Sequence, residues 1–431
     1  MKRSGTTLGG DAVQLTASRI IQSGISMATG MLLSRFRTLE EYGMNVLIFA
    51  TALPTKQHPL AGIFEFDQAK ALAAGGIEVD YFAPAASNPF PGLRKYIGRL
   101  GIREGIRDGV RWHIIDIPGG RFSMWSNTYF YIQTWAMHRL YRNVYQKKSK
   151  PDIVHSHFLY MSCSASSIAA KERIPLVLTE HLSTLNQEMI EPKILRYAKE
   201  VYAKADCLIA VSHPFADRLY AYTGIPSVVV PNIVDTNAFA KTKRIAGRNM
   251  FGFITVGNLI EIKRHCLLID AFSELHKECP NVYLGIVGDG DLRQSLEDQV
   301  DRLGLRDCVR FYGQQTREQI SDLFSKHDCF VFPSRSETFG VSCIEAMAAG
   351  LPVIASSCGG PEDFVTDETG ILIPAENIDA LRDAMLRMTR QAENYNSDTI
   401  RNYAVKRFSP SVIAGRLCDI YNQVLGCSCR P

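Results

Sequence analysis

The chain has 431 residues, 46% of them hydrophobic and 21% charged, with a formal net charge of +4. Such a length calls for two globular domains, and the composition excludes a disordered or fibrous chain. So small a charge argues against a nucleic-acid role, and 11 cysteines without C-x-x-C spacing read as buried thiols of a reducing cytoplasm.

Residues 1–43 stand apart as an N-terminal extension. The stretch 20–33 is mostly apolar but interrupted by Gln22, Ser23, Ser26 and Thr29, too short and polar for a membrane span. It also lacks the cleavage-site pattern of a secretory signal. An interfacial helix flanked by Arg19, Arg35 and Arg37, or a non-native start, are both open readings. Residues 44–50 then read as a first buried strand, 63–74 as a helix stopped by Gly75 and Gly76, and 77–82 as a second strand. This is the opening of a Rossmann-type half. It lacks G-x-G-x-x-G, so no dinucleotide is indicated.

Residues 91–112 are basic, with Arg94, Lys95, Arg99, Arg103, Arg107 and Arg111. They read either as an exposed loop of solvated charges or as a patch for an anionic membrane surface. The aromatics Trp125, Tyr129, Phe130, Tyr131 and Trp135 recur at helical spacing and are expected in a core. Two further strands end in histidines, Asp152-Ile-Val-His155-Ser-His157 and Pro175-Leu-Val-Leu-Thr-Glu180-His181. Carboxyl ends of parallel strands are where sites are built. Residues 206–212 and 228–235 read as the last strands of a first domain spanning 44–235, and 236–250 as a linker.

A second domain, 251–405, starts with a strand at 251–257. A turn, Asn258-Leu-Ile-Glu-Ile-Lys263-Arg264-His265, leads into a helix reaching 275. The strand 282–287 is followed by Gly288-Asp289-Gly290-Asp291, read as a glycine loop after a strand rather than a metal site. Then comes a strand (329–333), a loop with Glu337, a helix from Val341 holding Glu345 and closed by Gly350, and a strand (352–355). Free N–H groups at that helix start favour an anion, and Gly340 lets backbone approach it. Carboxylates beside an anion make sense if they accept hydrogen bonds from hydroxyls. A ligand with phosphate in the middle and hydroxylated rings at both ends, a sugar nucleotide, meets that description. A helix at 402–425 closes the chain.

Ser336-Glu337-Thr-Phe339-Gly340-Val341-Ser-Cys-Ile-Glu345-Ala-Met-Ala-Ala-Gly-Leu-Pro-Val, followed by Gly359-Gly-Pro-Glu362, resembles the E-x7-E signature of the family-4 glycosyltransferases. The resemblance extends over residues 44–425. It implies the GT-B fold, two Rossmann-like domains facing across a cleft, with the segment 406–431 returning to the first domain. It implies a retaining transferase, of the type that builds bacterial exopolysaccharide or teichuronic acid, moving a sugar from a UDP- or GDP-sugar to a hydroxyl of a glycan or lipid-linked acceptor. No metal or cofactor is expected, and the place implied is the cytoplasm, peripheral to the inner membrane face.

By the same resemblance, His181, Lys263 and Glu337 are the catalytic residues. The donor is held by Gly62, Asn258, Lys263, Gly288, Glu337, Phe339, Gly340, Val341 and Glu345, with Glu345 on the ribose and Glu337 on the sugar. His155 and His157 line the acceptor side. Two positions depart from the family's G-R-L-x-x-x-K-G turn: Asn258 replaces its arginine and Arg264 its final glycine, leaving Lys263 as the cation of the diphosphate clamp. A nucleotide-sugar 2-epimerase and a non-catalytic sugar-nucleotide-binding scaffold are the alternatives on the same fold.

Overall fold

The computed structural model describes residues 43–55, 58, 61–87, 101–118, 127–239 and 250–428. The expected N-terminal extension, Arg94, Lys95, Arg99, Trp125 and most of the linker lie outside them. Residues from Met44 onward form one compact unit built on two sheets.

The first sheet has strand order β3-β4-β2-β1-β5-β6-β7-β8. These are β1 (Asn45–Phe49), β2 (Glu78–Ser87), β3 (Ile102–Arg107), β4 (Val110–Pro118), β5 (Ile153–His157), β6 (Leu176–Glu180), β7 (Cys207–Ala210) and β8 (Val228–Val229). All pairings are parallel except β3 with β4. β5 and β6 are buried at every position, as parallel strands covered on both faces must be. The second sheet is parallel throughout, in the order β11-β10-β9-β12-β13-β14. Its strands are β9 (Phe251–Val256), β10 (Val282–Val287), β11 (Val309–Gly313), β12 (Cys329–Phe332), β13 (Val353–Ser357) and β14 (Gly370–Pro374). Two parallel α/β halves of this kind are the expected fold class.

The periodic elements fall where the sequence puts them: the helix Ile63–Ala74, β10 and the helix Val341–Ala348 match within a residue. Three expectations need correction. The described part of the basic stretch, 101–112, is not a loop but most of a β3–β4 hairpin. Its cations are spent internally: Arg103 on Asp116 at 2.9 Å, Arg107 on the Pro54 carbonyl at 2.8 Å, and Arg111 on Asp80 and Glu78 at 3.0 and 2.9 Å. Not all of the aromatic group is core. On the helix Asn127–Tyr145, Phe130 is buried but Tyr131 and Trp135 are exposed. The closing helix is two helices, Ser397–Phe408 and Pro410–Ser428, broken at an extended Ser409 because Pro410 cannot continue the ladder.

The helix Pro410–Ser428 packs on the helix Ile63–Ala74 of the first half. The segment after Pro410 therefore belongs physically to the first domain, and its Tyr421 is wholly buried there.

Candidate active site

The carboxyl ends of the two sheets face each other through a few polar contacts. Asn186 donates to the Ser336 hydroxyl at 2.8 Å, Ser212 to the Thr338 carbonyl at 2.6 Å, and the Thr338 hydroxyl to the His181 carbonyl at 3.3 Å. The loop that leaves β12 thus reaches the opposite half just where β6 ends. Glu337 lies in this loop, held by a bridge to Gly359 and by its own N–H on the Cys358 carbonyl at 2.9 Å.

Glu337 is paired with Lys263. The lysine comes from the short 3₁₀ turn Glu261–Lys263 after β9, and its ammonium also lies 5.4 Å from the Phe332 ring centre. The first cation and the first carboxylate of the expected clamp are therefore together. Arg264 follows with φ of 55°, the left-handed geometry that the family's glycine would occupy without strain. Its guanidinium does not reach out to solvent. It binds Glu376 at 2.6 Å and also Glu261, so it is already neutralised. Asn258 is exposed at the end of β9.

The second carboxylate, Glu345, is buried on the helix Val341–Ala348. Burial pushes its pKa up to about 7, against the pull of Arg317 and helped by Asp67 and Asp235. Arg317 stands between the halves: it bonds Asp67 of the helix Ile63–Ala74 at 2.6 Å and lies 3.8 Å from Glu345. Neither Arg317 nor Asp67 was foreseen. The sequence shows only three polar residues, Glu65, Asp67 and Gln68, at the start of a helix. That all three are buried, with Glu65 on Thr51, Gln68 against His155 and Asp67 on Arg317, emerges from the fold.

The glycines of the site have steric reasons. A Cβ on Gly62, which precedes the helix Ile63–Ala74, would lie 2.1 Å from the Ala52 carbonyl oxygen, and one on Gly288 would lie 1.9 Å from that of Gly257. These contacts draw the loops after β1 and β10 close to neighbouring backbone. Gly340 opens the helix Val341–Ala348; its carbonyl takes the Cys343 N–H at 3.1 Å, and the amides before Cys343 have no helical carbonyl to bond. The Phe339 side chain is core, packed on Phe364 and Phe408 with ring centres 5.6 and 5.7 Å apart, which leaves its backbone alone to face a donor. Asp289 accepts from the Gly290 N–H at 2.8 Å, so it braces its own loop.

The histidines are a second correction. His155 and His157 have no exposed surface, because β5 is a central strand and the helix Pro410–Ser428 covers them. They stand behind His181 instead of lining an acceptor surface. His181 follows β6, and its Nε2 lies 3.0 Å from His157 Nδ1. Burial lowers its pKa to about 4, with hydrogen bonding to the Asn232 side chain pulling the other way, so the ring is neutral at physiological pH.

Comparison with known proteins places the chain among glycosyltransferases. Residues 64–238 match the family described as Glycosyltransferase Family 4, and residues 237–406 match Glycosyl transferases group 1. The chain is 28% identical to a D-inositol 3-phosphate glycosyltransferase of Mycobacteroides abscessus, over 89% of this chain and 85% of that one. It is 26% identical to the putative teichuronic acid biosynthesis glycosyltransferase TuaC of Bacillus subtilis, over 80% and 89%. Among solved structures, Alr3699/HepE of Anabaena in complex with UDP and glucose superposes with a TM-score of 0.68 at 19% identity, covering 88% of this chain and 100% of that one.

Arg317 should be the cation on which the junction of the two halves leans. Arg317→Ala leaves buried Glu345 without its cation and Asp67 with Lys70 alone, at 2.8 Å, and should lower stability to urea by about 3 kcal/mol. Arg335→Ala removes only an exposed pair with Glu376 and should change it by less than about 0.5 kcal/mol. Equal unfolding midpoints for the two variants would contradict the assignment.

Proposed function

Since this chain belongs to the family-4 glycosyltransferases and has the GT-B fold, we propose that it moves a sugar from a nucleotide-sugar to an acceptor hydroxyl with the anomeric configuration retained. The observation that carries this reading is the pairing of Lys263 with Glu337 beside the start of the helix that holds Glu345. That arrangement offers one cation, a row of backbone amides and two carboxylates to a ligand of alternating hydroxylated and anionic parts. Glu345 would accept from the ribose hydroxyls, Glu337 from the donor sugar, and Lys263 with the Gly340 and Val341 amides would face the diphosphate. UDP in the similarly folded Anabaena protein is in keeping with such a donor, although a GDP-sugar fits the same chemistry.

In the transfer, the acceptor oxygen forms a bond to C1 as the bond from C1 to the diphosphate oxygen breaks. The diphosphate takes the electron pair, and the acceptor's proton passes to it on the same face. Lys263 and the helix amides would stabilise the charge that grows on the leaving group, the largest contribution in sites of this kind. The proposal assigns that work to these groups and to no metal ion. Asn258 adds no charge, so Lys263 carries the load an arginine would otherwise share. Synthesis of an envelope glycan or polysaccharide on a lipid-linked acceptor, at the cytoplasmic membrane face, is the setting we infer. The teichuronic acid relative points the same way. Among the described residues no helix is long and apolar enough to cross a membrane.

Calorimetry of nucleoside diphosphate binding tests the carboxylate roles. Glu345→Ala should weaken binding by about 1.5–3 kcal/mol, while Glu337→Ala should leave it nearly intact and lower transfer; unchanged affinity in a folded Glu345→Ala variant would remove that residue from the site. Ribose hydroxyls donating to Glu345 favour its ionised form. With a pKa of about 7 in the free protein, nucleotide binding should release a proton and weaken as pH falls below about 7. For the clamp, Lys263→Ala should lower turnover roughly 10²–10³-fold and Arg264→Ala less than about tenfold, since Arg264 is already paired. The reverse order would make Arg264 the clamp.

A further inference from the structure

His181 is the end of a line of buried polar groups that begins on the last helix of the chain. Tyr421 O–H lies 2.6 Å from His155 Nδ1, and His155 Nε2 lies 2.7 Å from Thr179 Oγ1. Gln68 Nε2 sits between two rings, 3.3 Å from His155 Nδ1 and 3.4 Å from His157 Nε2. His157 Nδ1 then meets His181 Nε2 at 3.0 Å. The three rings stack successively, with centres 4.6 and 5.3 Å apart. The remaining ring nitrogen, His181 Nδ1, is buried and makes no hydrogen bond of good geometry among the described residues, although the Asn232 side chain lies within reach of the ring.

We propose that Gln68 and Tyr421 are positioning residues that set the tautomer of His181, making its Nδ1 a protonated donor held ready for a ligand oxygen. The protons follow one at a time. An amide NH₂ only donates, so His155 Nδ1 and His157 Nε2, the two nitrogens facing Gln68, are bare. Each neutral imidazole carries a single proton, and burial keeps the rings neutral, with the pKa of His155 lowered to about 3. The proton of His155 is therefore on Nε2 and goes to Thr179. That of His157 is on Nδ1 and goes to His181 Nε2, which leaves the His181 proton on Nδ1.

The amide could face the other way only by reversing every proton in the line. His155 Nδ1 would then be protonated, and the Tyr421 hydroxyl hydrogen would lose its acceptor in a wholly buried position. Leaving a buried donor unpaired costs more than a typical hydrogen bond contributes, so Tyr421 selects the first arrangement. The C-terminal helix thereby acts on the cleft from behind the sheet. The consequence for chemistry rests on the transferase reading above: beside the donor sugar, His181 gives a hydrogen bond to a hydroxyl or ring oxygen and does not act as a base.

The test is ¹⁵N–¹H correlation through the ring bonds of the full chain labelled at histidine nitrogens, without ligand at pH 7. The expected result is a proton on Nδ1 of His181 and His157 and on Nε2 of His155; a proton on Nε2 of His181 would overturn the proposal. Gln68→Met keeps volume and removes the donor. In that variant His181 should populate both tautomers, and turnover should fall roughly tenfold, about the effect of one misplaced hydrogen bond, with nucleoside diphosphate affinity unchanged. A folded Gln68→Met protein with an unaltered single tautomer would overturn it. If that variant does not fold, Tyr421→Phe is read by the same signals and the same criterion. Ring tautomers are read without substrate, so a wild-type chain that transfers nothing from any nucleotide-sugar would sink the transferase reading and leave this one standing on its own spectrum.

Discussion

A carboxylate taken out of water has to be met by a cation, by hydrogen bonds or by a proton, and the cleft of this protein is arranged around that demand. Glu337 is met by Lys263. Glu345 is met only partly, by Arg317 at 3.8 Å, and titrates at about 7. The difference suits the roles proposed. A carboxylate tied to a lysine is held in place for the sugar hydroxyls by that pair. A carboxylate near its titration point changes state when hydroxyl donors arrive, because those donors pay the desolvation that burial imposed.

The same demand joins the two halves. Arg317 belongs to the second half, yet its short bond is to Asp67 in the first. The loop 336–338 completes the junction by contacts with Asn186, Ser212 and His181. Donor-side and reaction-side groups are thus brought together by polar contacts along the cleft, above a hydrophobic core that both halves share. Such contacts exchange readily with water, which suits a cleft that has to admit substrates and let products leave.

Much of the second half was legible because its motif is local. Glu337, Gly340 and Glu345 sit on one strand, loop and helix, and the helix Val341–Ala348 ends where Gly350 and Pro352 stop it. Left-handed backbone at Arg264 likewise follows from its standing where a glycine is usual. What escaped the sequence was contact between distant segments. Periodicity shows that Asp67 and Gln68 lie in a helix, but not that one faces Arg317 at 250 positions' remove. The histidines illustrate the same limit. Their place on β5 was readable, but their burial depends on a helix whose Tyr421 is 266 residues from His155. A motif gives positions, and only packing shows that the Phe339 side chain faces the core.

The central claim, nucleotide-sugar transfer with retention, is tested most directly by the stereochemistry of a product. Full-length protein would be supplied with α-linked UDP- and GDP-sugars labelled with ¹³C at the anomeric carbon, together with membrane extract as acceptor. The anomeric coupling of the product would then be read by NMR. The account predicts an α-linked product from an α-linked donor. A β-linked product would contradict it, since inversion requires attack from the face opposite the leaving diphosphate and leaves the same-face path without a role.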